Sequence, residues 1–212
     1  EPTVAEAVDS ELDESDAPPE VRATRDPVEP TAAEPVARPA TRPSTSSGRI
    51  ETGVRLSELV RRIHAEGRAA SIDERRELAA WPGWGATPEI FDDLDQRHSV
   101  QRERLKAIWT DQEWASARRT VLNAHYTAPE YASAIWDALG AAGFTSGEVL
   151  EPGCGSGAFI ATAPAGASIT GVELDPTTAM ATALAYPHAR ILTESFADTS
   201  IDHDGFDAVV GN

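Results

Sequence analysis

The stretch "VLEPGCGSGAFI", residues 149–160, decides the reading of this chain. An apolar strand-like run leads into a loop with glycines at 153, 155 and 157, and then into a second apolar run. Glycine loops of this form, G-x-G-x-x-[GA] with Ala158 in the last place, let a backbone come close to a nucleotide. Here a carboxylate, Glu151, stands two residues before the first glycine. A fixed negative charge opposes a pyrophosphate and suits a cation.

Working outward, strand-like and helix-like runs alternate from residue 129 onward. "PEYASAIWDALGAAG" reads as a helix with Pro129 in its first turn. "EVLEP", "SITGVEL", "ARILTES" and "FDAVVGN" read as strands, with "GAFIATA" and "PTTAMATALAYP" as helices between the first three. That alternation predicts an α/β fold with a parallel sheet, of which four strands make only the first half of a doubly wound arrangement. Asp175 and Pro176 are placed to cap the helix after the second strand.

In an open parallel sheet the ligand lies outside the carboxyl ends of the strands. Glu151, Glu173, Ser195 and Asn212 fall at or just past four such ends and are expected to converge on one crevice. A carboxylate at Glu173 can take both hydroxyls of a ribose. A ligand with a ribose, positive charge and no phosphate therefore fits better than NAD, and S-adenosylmethionine is such a ligand.

Upstream, residues 49–123 read as a helical leader. "VRLSELVRRIHAEG" puts Val54, Leu56, Leu59, Val60 and Ile63 on one stripe, and Gly67 is a plausible stop. Ser71 with Glu74 three residues later is a capping-box pattern, for a helix ending near Ala80 before Pro82 and Gly83. A short helix is expected to start at Thr87-Pro88-Glu89. "SVQRERLKAIWTDQEWASARRTVLNA" reads as one long helix or two shorter ones, with Leu105, Ile108 and Trp109 at core spacing. Trp81, Trp84, Trp109 and Trp114 could form a base-stacking platform or an aromatic core, and their helical spacing favours the core. Residues 1–48 are rich in Pro, Ala, Glu, Ser and Thr with little to bury, and are read as a disordered acidic tail or linker.

The net charge of −17 is unevenly spread: −7 over residues 1–48, zero over 49–123 and −10 over 124–212. An acidic segment does not attract nucleic acid through its average field, so a DNA-binding surface is expected in the middle segment or outside the chain. The single cysteine, Cys154, precludes an intramolecular disulfide and points to an intracellular, cytoplasmic setting. No run is long and apolar enough for a membrane span, and the acidic start is no signal peptide. The chain is read as an excerpt of a longer protein, from its start at Glu1 and its stop just after "FDAVV".

Blander readings apply to several residues. Cys154 has no base beside it in sequence, so it is not read as a nucleophile. His125, His188 and His203 lack metal-ligand spacing, and no metal site is expected. Asp202 and Asp204 are read as solvent-facing turn acids.

"LNAHYTAPEYASAIWDAL", "VLEPGCGSGAF", "GVELDP", "ESF" and "FDAVVGN" occur in the order and spacing of the N6-adenine DNA methyltransferases with gamma-class motif order, which residues 120–212 resemble. More loosely, "LAAWPGWGATPEIF" and "RRTVLNAHYT" look like the leader of very large bacterial and phage proteins that fuse such a methylase to a helicase. The resemblance implies a Rossmann-like S-adenosylmethionine-dependent methyltransferase acting on DNA, with a helicase domain in the same parent chain. It implies that Tyr126 and Thr127 close over the methionine end of the cofactor and that Glu151 holds its ammonium. Gly153, Gly155 and Gly157 would allow close approach of the backbone. Glu173 would take the ribose hydroxyls, with Leu174 and Phe196 flanking the adenine. Ser195 stands where many relatives have an Asp for the adenine amino group, so that contact passes to the backbone or to Glu194. Asn212 would open the Asn-Pro-Pro-aromatic catalytic loop and accept a hydrogen bond from N6 of a flipped adenine. The rest of that loop is not in the sequence, so the excerpt itself is expected to be inactive. RNA or protein-glutamine methyltransferase, NAD-dependent oxidoreductase and non-catalytic scaffold are the alternatives.

Overall fold

The computed structural model describes residues 43–121, 126–202 and 204–212. Most of the expected acidic tail, together with His125 and His203, lies outside the described residues.

The first helix, α1 (Ser46–Glu66), begins three residues before the expected boundary. Thr45 is its N-cap, its hydroxyl accepting from Gly48 N at 3.1 Å. The stop at Gly67 is a left-handed cap with φ of 61°. Helix α2 (Ile72–Leu78) starts with the complete Ser71–Glu74 capping box and ends two residues before Ala80. The turn at Thr87-Pro88-Glu89 is a 3-10 helix, Pro88–Phe91. Residues 99–120 resolve into two helices, α3 (Ser99–Ile108) and α4 (Asp111–Thr120). The break has a clear cause: Thr110 and Glu113 form a second capping box, which starts a new helix at residue 111.

Trp81, Trp84 and Trp109 are core, and the half-buried Trp114 packs against them. Trp81 and Trp84 are each 1% exposed, and Trp84 makes edge-on contacts to Trp81, Phe91 and Trp109 at 5.8, 5.9 and 5.3 Å between ring centroids. α1 accommodates this cluster through Gly53, where a Cβ would stand 2.7 Å from Trp84 Cη2. Gly53→Ala gains up to about 1 kcal/mol of helix propensity but overpacks a rigid indole at a cost of about 1–3 kcal/mol. A net loss of about 1 kcal/mol is expected in urea unfolding, and a gain in stability would show that the indole shifts freely. The buried guanidinium of Arg102 is held by main-chain carbonyls of Glu89, Ile90, Asp92 and Asp95, which fixes the loop after the 3-10 turn.

The second part of the chain forms α5 (Pro129–Ala141), β1 (Gly147–Pro152), α6 (Ala158–Thr162), β2 (Ala167–Glu173), α7 (Pro176–Ala185), β3 (Arg190–Thr193) and β4 (Ala208–Val209). The four strands are parallel in the order β3-β2-β1-β4. The fold is therefore α/β with a four-stranded, Rossmann-like parallel sheet, whose order switches direction beside β1. The middle strands are buried on both faces, as Val149, Ile169 and Val172 show, which explains their continuous apolar runs. α1, α2 and α4 of the leader all pack on α7, so leader and sheet share one hydrophobic core. On the other side of the loop, Trp136 of α5 donates from Nε1 to the carbonyl of Phe159 at 3.0 Å.

No helix among the described residues is long and apolar enough to cross a membrane.

Candidate functional site

Parallel pairing places the carboxyl ends of β1 and β2 side by side, with Glu151 opposite Gly171 and Pro152 opposite Val172. Just beyond them the glycine loop turns back, Cys154 N donating to the carbonyl of Val172 at 2.9 Å. A small cavity lies there. Tyr126, Thr127, Glu151, Gly153, Gly155 and Asn212 line it, together with Ser156 and Phe159, which the sequence did not single out.

Glu151 is the unusual member. It is 3% exposed, and its Oε2 has no hydrogen-bond partner among the described residues. Burial, and secondly the negative charge of Glu173, push its pKa up to about 8. Glu173 has the better-satisfied carboxylate: Oε2 accepts from Gly155 N at 2.9 Å and Oε1 from Asp175 N at 2.8 Å. Burial raises its pKa as well, against the lowering effect of these N–H donors. The N–H of Leu174 also faces this carboxylate, and of its roughly four acceptor sites at least one remains for a ligand hydroxyl. Two buried carboxyl groups thus face one loop; a cation favours their ionised form, and a phosphate disfavours it.

The three loop glycines have separate reasons. All have positive φ, at 69°, 51° and 76°. A Cβ on Gly153 would meet nothing within 4 Å, so only there is the approach open. A Cβ on Gly155 would stand 2.5 Å from the Tyr126 ring. Gly157 corrects the expectation that its missing side chain serves a ligand. A Cβ there would meet Tyr186 at 2.7 Å and Thr182 at 3.2 Å, so this glycine lets α6 start against α7.

Asn212 Nδ2 donates to Thr127 Oγ1 at 3.2 Å, which joins the end of the β4 segment to the segment just before α5. The expected convergence of four polar residues is thereby met by Glu151 and Asn212, with Glu173 joined through Gly155. Ser195 does not line the cavity. β3 ends at Thr193, and the Ser195 carbonyl closes the 3-10 turn Phe196–Asp198 by accepting from Asp198 N at 2.9 Å. Leu174, just past β2, and Phe196, at the start of the 3-10 turn, also lie outside the cavity lining and are 53% and 46% exposed.

Cys154 is buried against the backbone of Gly171, where a Cβ would be 2.8 Å from Sγ. Burial and the two neighbouring glutamates push its thiol up, so packing accounts for it and nucleophilic attack does not. Asp202 and Asp204 are solvent-exposed, as expected, and His188 stacks edge-on to Tyr186. Among the described residues no three His, Cys, Asp or Glu side chains are arranged to hold a metal.

Three buried residues support the loop from α7 and the leader: Thr182, which the sequence did not single out, Asp175, which caps α7 as expected, and the core residue Trp81. Thr182 Oγ1 donates to the carbonyl of Gly155 at 2.7 Å. Asp175, 1% exposed, caps α7 and accepts from the hydroxyls of Thr177 and Thr178 at 2.6 and 2.8 Å. Trp81 Nε1 donates to Thr178 Oγ1 at 3.1 Å.

No family model matches the chain. It is 30% identical over 90 residues to Defense against restriction protein B of Escherichia phage P1, a match that covers 42% of this chain and 4% of the phage protein. Among solved structures it is similar to a TehB-like SAM-dependent methyltransferase from Corynebacterium glutamicum ATCC 13032 Kitasato, with 21% identity and a TM-score of 0.33 over 48% of this chain and 51% of that one. It is also similar to a Listeria monocytogenes protein described as a class I S-adenosylmethionine-dependent methyltransferase, with 11% identity and a TM-score of 0.34 over 77% and 58%. The chain thus spans a small fraction of the phage relative and a little over half of each solved structure. The fold assignment rests on the strand order and register, not on these two likenesses.

Proposed function

We propose that this chain is the cofactor-binding part of an S-adenosylmethionine-dependent methyltransferase that modifies N6 of adenine in DNA, as a portion of a longer protein. The observation that carries the proposal is Glu151, a buried carboxylate with an unpartnered oxygen beside a glycine loop. A pyrophosphate would meet Glu173, and Glu151 once ionised, as repulsion, which argues against a nicotinamide dinucleotide. A ligand with an ammonium, a sulfonium and a ribose meets the same two groups as partners.

The residues present fit that ligand. Glu151 would hold the ammonium and Glu173 the ribose hydroxyls, while the exposed side chains of Leu174 and Phe196 offer apolar surface for the adenine. Tyr126 and Thr127 would close over the methionine end, and Gly153 leaves room for close approach. When bound, S-adenosylmethionine supplies an electrophilic methyl group on sulfur. Asn212 has its Nδ2 engaged by Thr127, which leaves Oδ1 as the acceptor for an amino group. Holding that amino group by its N–H would turn its lone pair toward the methyl carbon. The DNA reading draws support from the motif order at residues 120–212 and from the phage relative, whose name associates it with restriction.

The test is product analysis. The full-length protein is incubated with methyl-tritiated S-adenosylmethionine and double-stranded DNA, and the DNA is digested to nucleosides. Label in N6-methyladenosine of the deoxy series is expected. Label confined to RNA or protein substrates offered in parallel would overturn the acceptor assignment.

A further inference from the structure

We propose that the helical leader is a wall of the cofactor site, with Trp81 and Thr178 as positioning residues for Glu173 and Tyr126; this rests on the S-adenosylmethionine reading of the site. Two independent contacts carry it. The first is a relay through one hydroxyl. Thr178 Oγ1 accepts from Trp81 Nε1 at 3.1 Å, donates to Asp175 Oδ2 at 2.8 Å and has the Tyr126 hydroxyl at 3.5 Å. One proton and two lone pairs are the whole capacity of a threonine hydroxyl, so the leader, the loop segment and the α7 cap saturate it. Trp81, Thr178 and Asp175 are each 1% exposed, so a lost partner is not replaced by bulk water. The relay ends at the site: the backbone N–H of Asp175 donates to Glu173 Oε1 at 2.8 Å.

The second contact is at Gly83, two residues after Trp81. Its φ is 63°, and a Cβ there would stand 1.6 Å from the Tyr126 ring. The same ring lies 2.5 Å from the Cβ position of Gly155. The leader turn and the glycine loop therefore both give up side chains to seat one tyrosine over the loop. Trp81 and Gly83 act on the same site from one turn, one through α7 and one through Tyr126.

The experiment compares the unaltered protein with Thr178→Ser, Thr178→Val, Trp81→Phe and Gly83→Ala. S-adenosylhomocysteine affinity is read by calorimetry, and amide hydrogen exchange of Gly155 and Asp175 is read without ligand. Thr178→Ser keeps all three hydroxyl contacts and should match the unaltered protein in both readouts. Thr178→Val and Trp81→Phe should lose affinity about tenfold and speed exchange at both amides by a similar factor, as expected for one buried hydrogen bond. Gly83→Ala should lose affinity about tenfold through Tyr126 and, because Tyr126 meets Thr178 through its hydroxyl at 3.5 Å, should speed Asp175 exchange less than Thr178→Val does. Folding is checked by circular dichroism; Thr178→Ala replaces Thr178→Val, and Tyr126→Leu replaces Gly83→Ala, wherever the first choice fails to fold. If the amides and the affinity of Thr178→Val and Gly83→Ala match the unaltered protein, the inference is wrong. If the unaltered protein binds no S-adenosylhomocysteine while the amides respond as stated, the cofactor reading is wrong and the positioning role stands.

Discussion

Replacing Glu173 by alanine is expected to weaken S-adenosylhomocysteine binding at least about 100-fold, with the circular dichroism spectrum retained. The carboxylate stands at the end of β2 and has two jobs. It holds the glycine loop through Gly155 N and the start of α7 through Asp175 N, at 2.9 and 2.8 Å. On the proposed reading, its remaining acceptor capacity is what the ribose would use. Two hydrogen bonds to a charged group are worth about 1.5–3 kcal/mol each, which together exceed two orders of magnitude in affinity. Glu173→Gln keeps one acceptor oxygen and the side-chain volume, and should fall between, near a tenfold loss. Titration calorimetry distinguishes the cases. An alanine variant within a few-fold of the unaltered protein would remove Glu173 from the site.

The second large effect is expected at Glu151, and it has opposite signs for stability and for binding. In the unfolded chain this carboxyl ionises near the model-peptide value of 4.5, whereas the folded protein holds its proton up to about 8. Between those values the folded state binds more protons than the unfolded one, so stability falls as pH rises. The contribution is fully present below pH 4.5 and is lost as pH climbs through 8. Glutamine does not titrate and imposes no such loss. Glu151→Gln should match the unaltered protein in acid and exceed its stability by about 3 kcal/mol at pH 7, read from urea midpoints. A cationic ligand needs the ionised form. The unaltered protein should therefore bind more tightly from pH 6 to pH 8, approaching tenfold per unit before levelling, while the variant binds weakly and without that rise. A variant less stable at pH 7, or one with the same pH-dependent affinity, would contradict the account of Glu151 as a buried charge kept for a ligand.

Much of this architecture is legible in the residues because local signals act locally. Ser71 and Glu74 satisfy each other's backbone donors within one turn, and Gly67 ends α1 because only glycine takes a left-handed cap without strain. Continuous apolar runs foretell strands buried on both faces, and the glycine loop follows the first of them. The boundary at residue 46 was harder, since the Ser/Thr-rich composition that suggests a tail also supplies a helix cap at Thr45. The split of residues 99–120 was written in Thr110 and Glu113, a second capping box inside an otherwise continuous helical period.

What the residues do not disclose is which partner a special side chain has. Gly157 looks like Gly153 in the string, and only the fold sets Tyr186 beside one and open space beside the other. Thr178 reads as an unremarked position in an apolar helix, yet it bonds an indole 97 positions away. Ser195 was placed in the crevice by its position after a strand, and the 3-10 turn that begins beside it is a local choice the strand pattern does not encode. Contacts across the core depend on packing of distant elements, and no periodicity records them.

On the proposed reading, the glycine loop with its two glutamates receives S-adenosylmethionine and not a dinucleotide. The most direct measurement is calorimetric titration of the folded protein at pH 8 with S-adenosylhomocysteine and, separately, with NADH. Saturable heat with S-adenosylhomocysteine and none with NADH is the predicted result. Binding of NADH together with no binding of S-adenosylhomocysteine would contradict the claim, because it would mean that Glu151 and Glu173 tolerate a pyrophosphate.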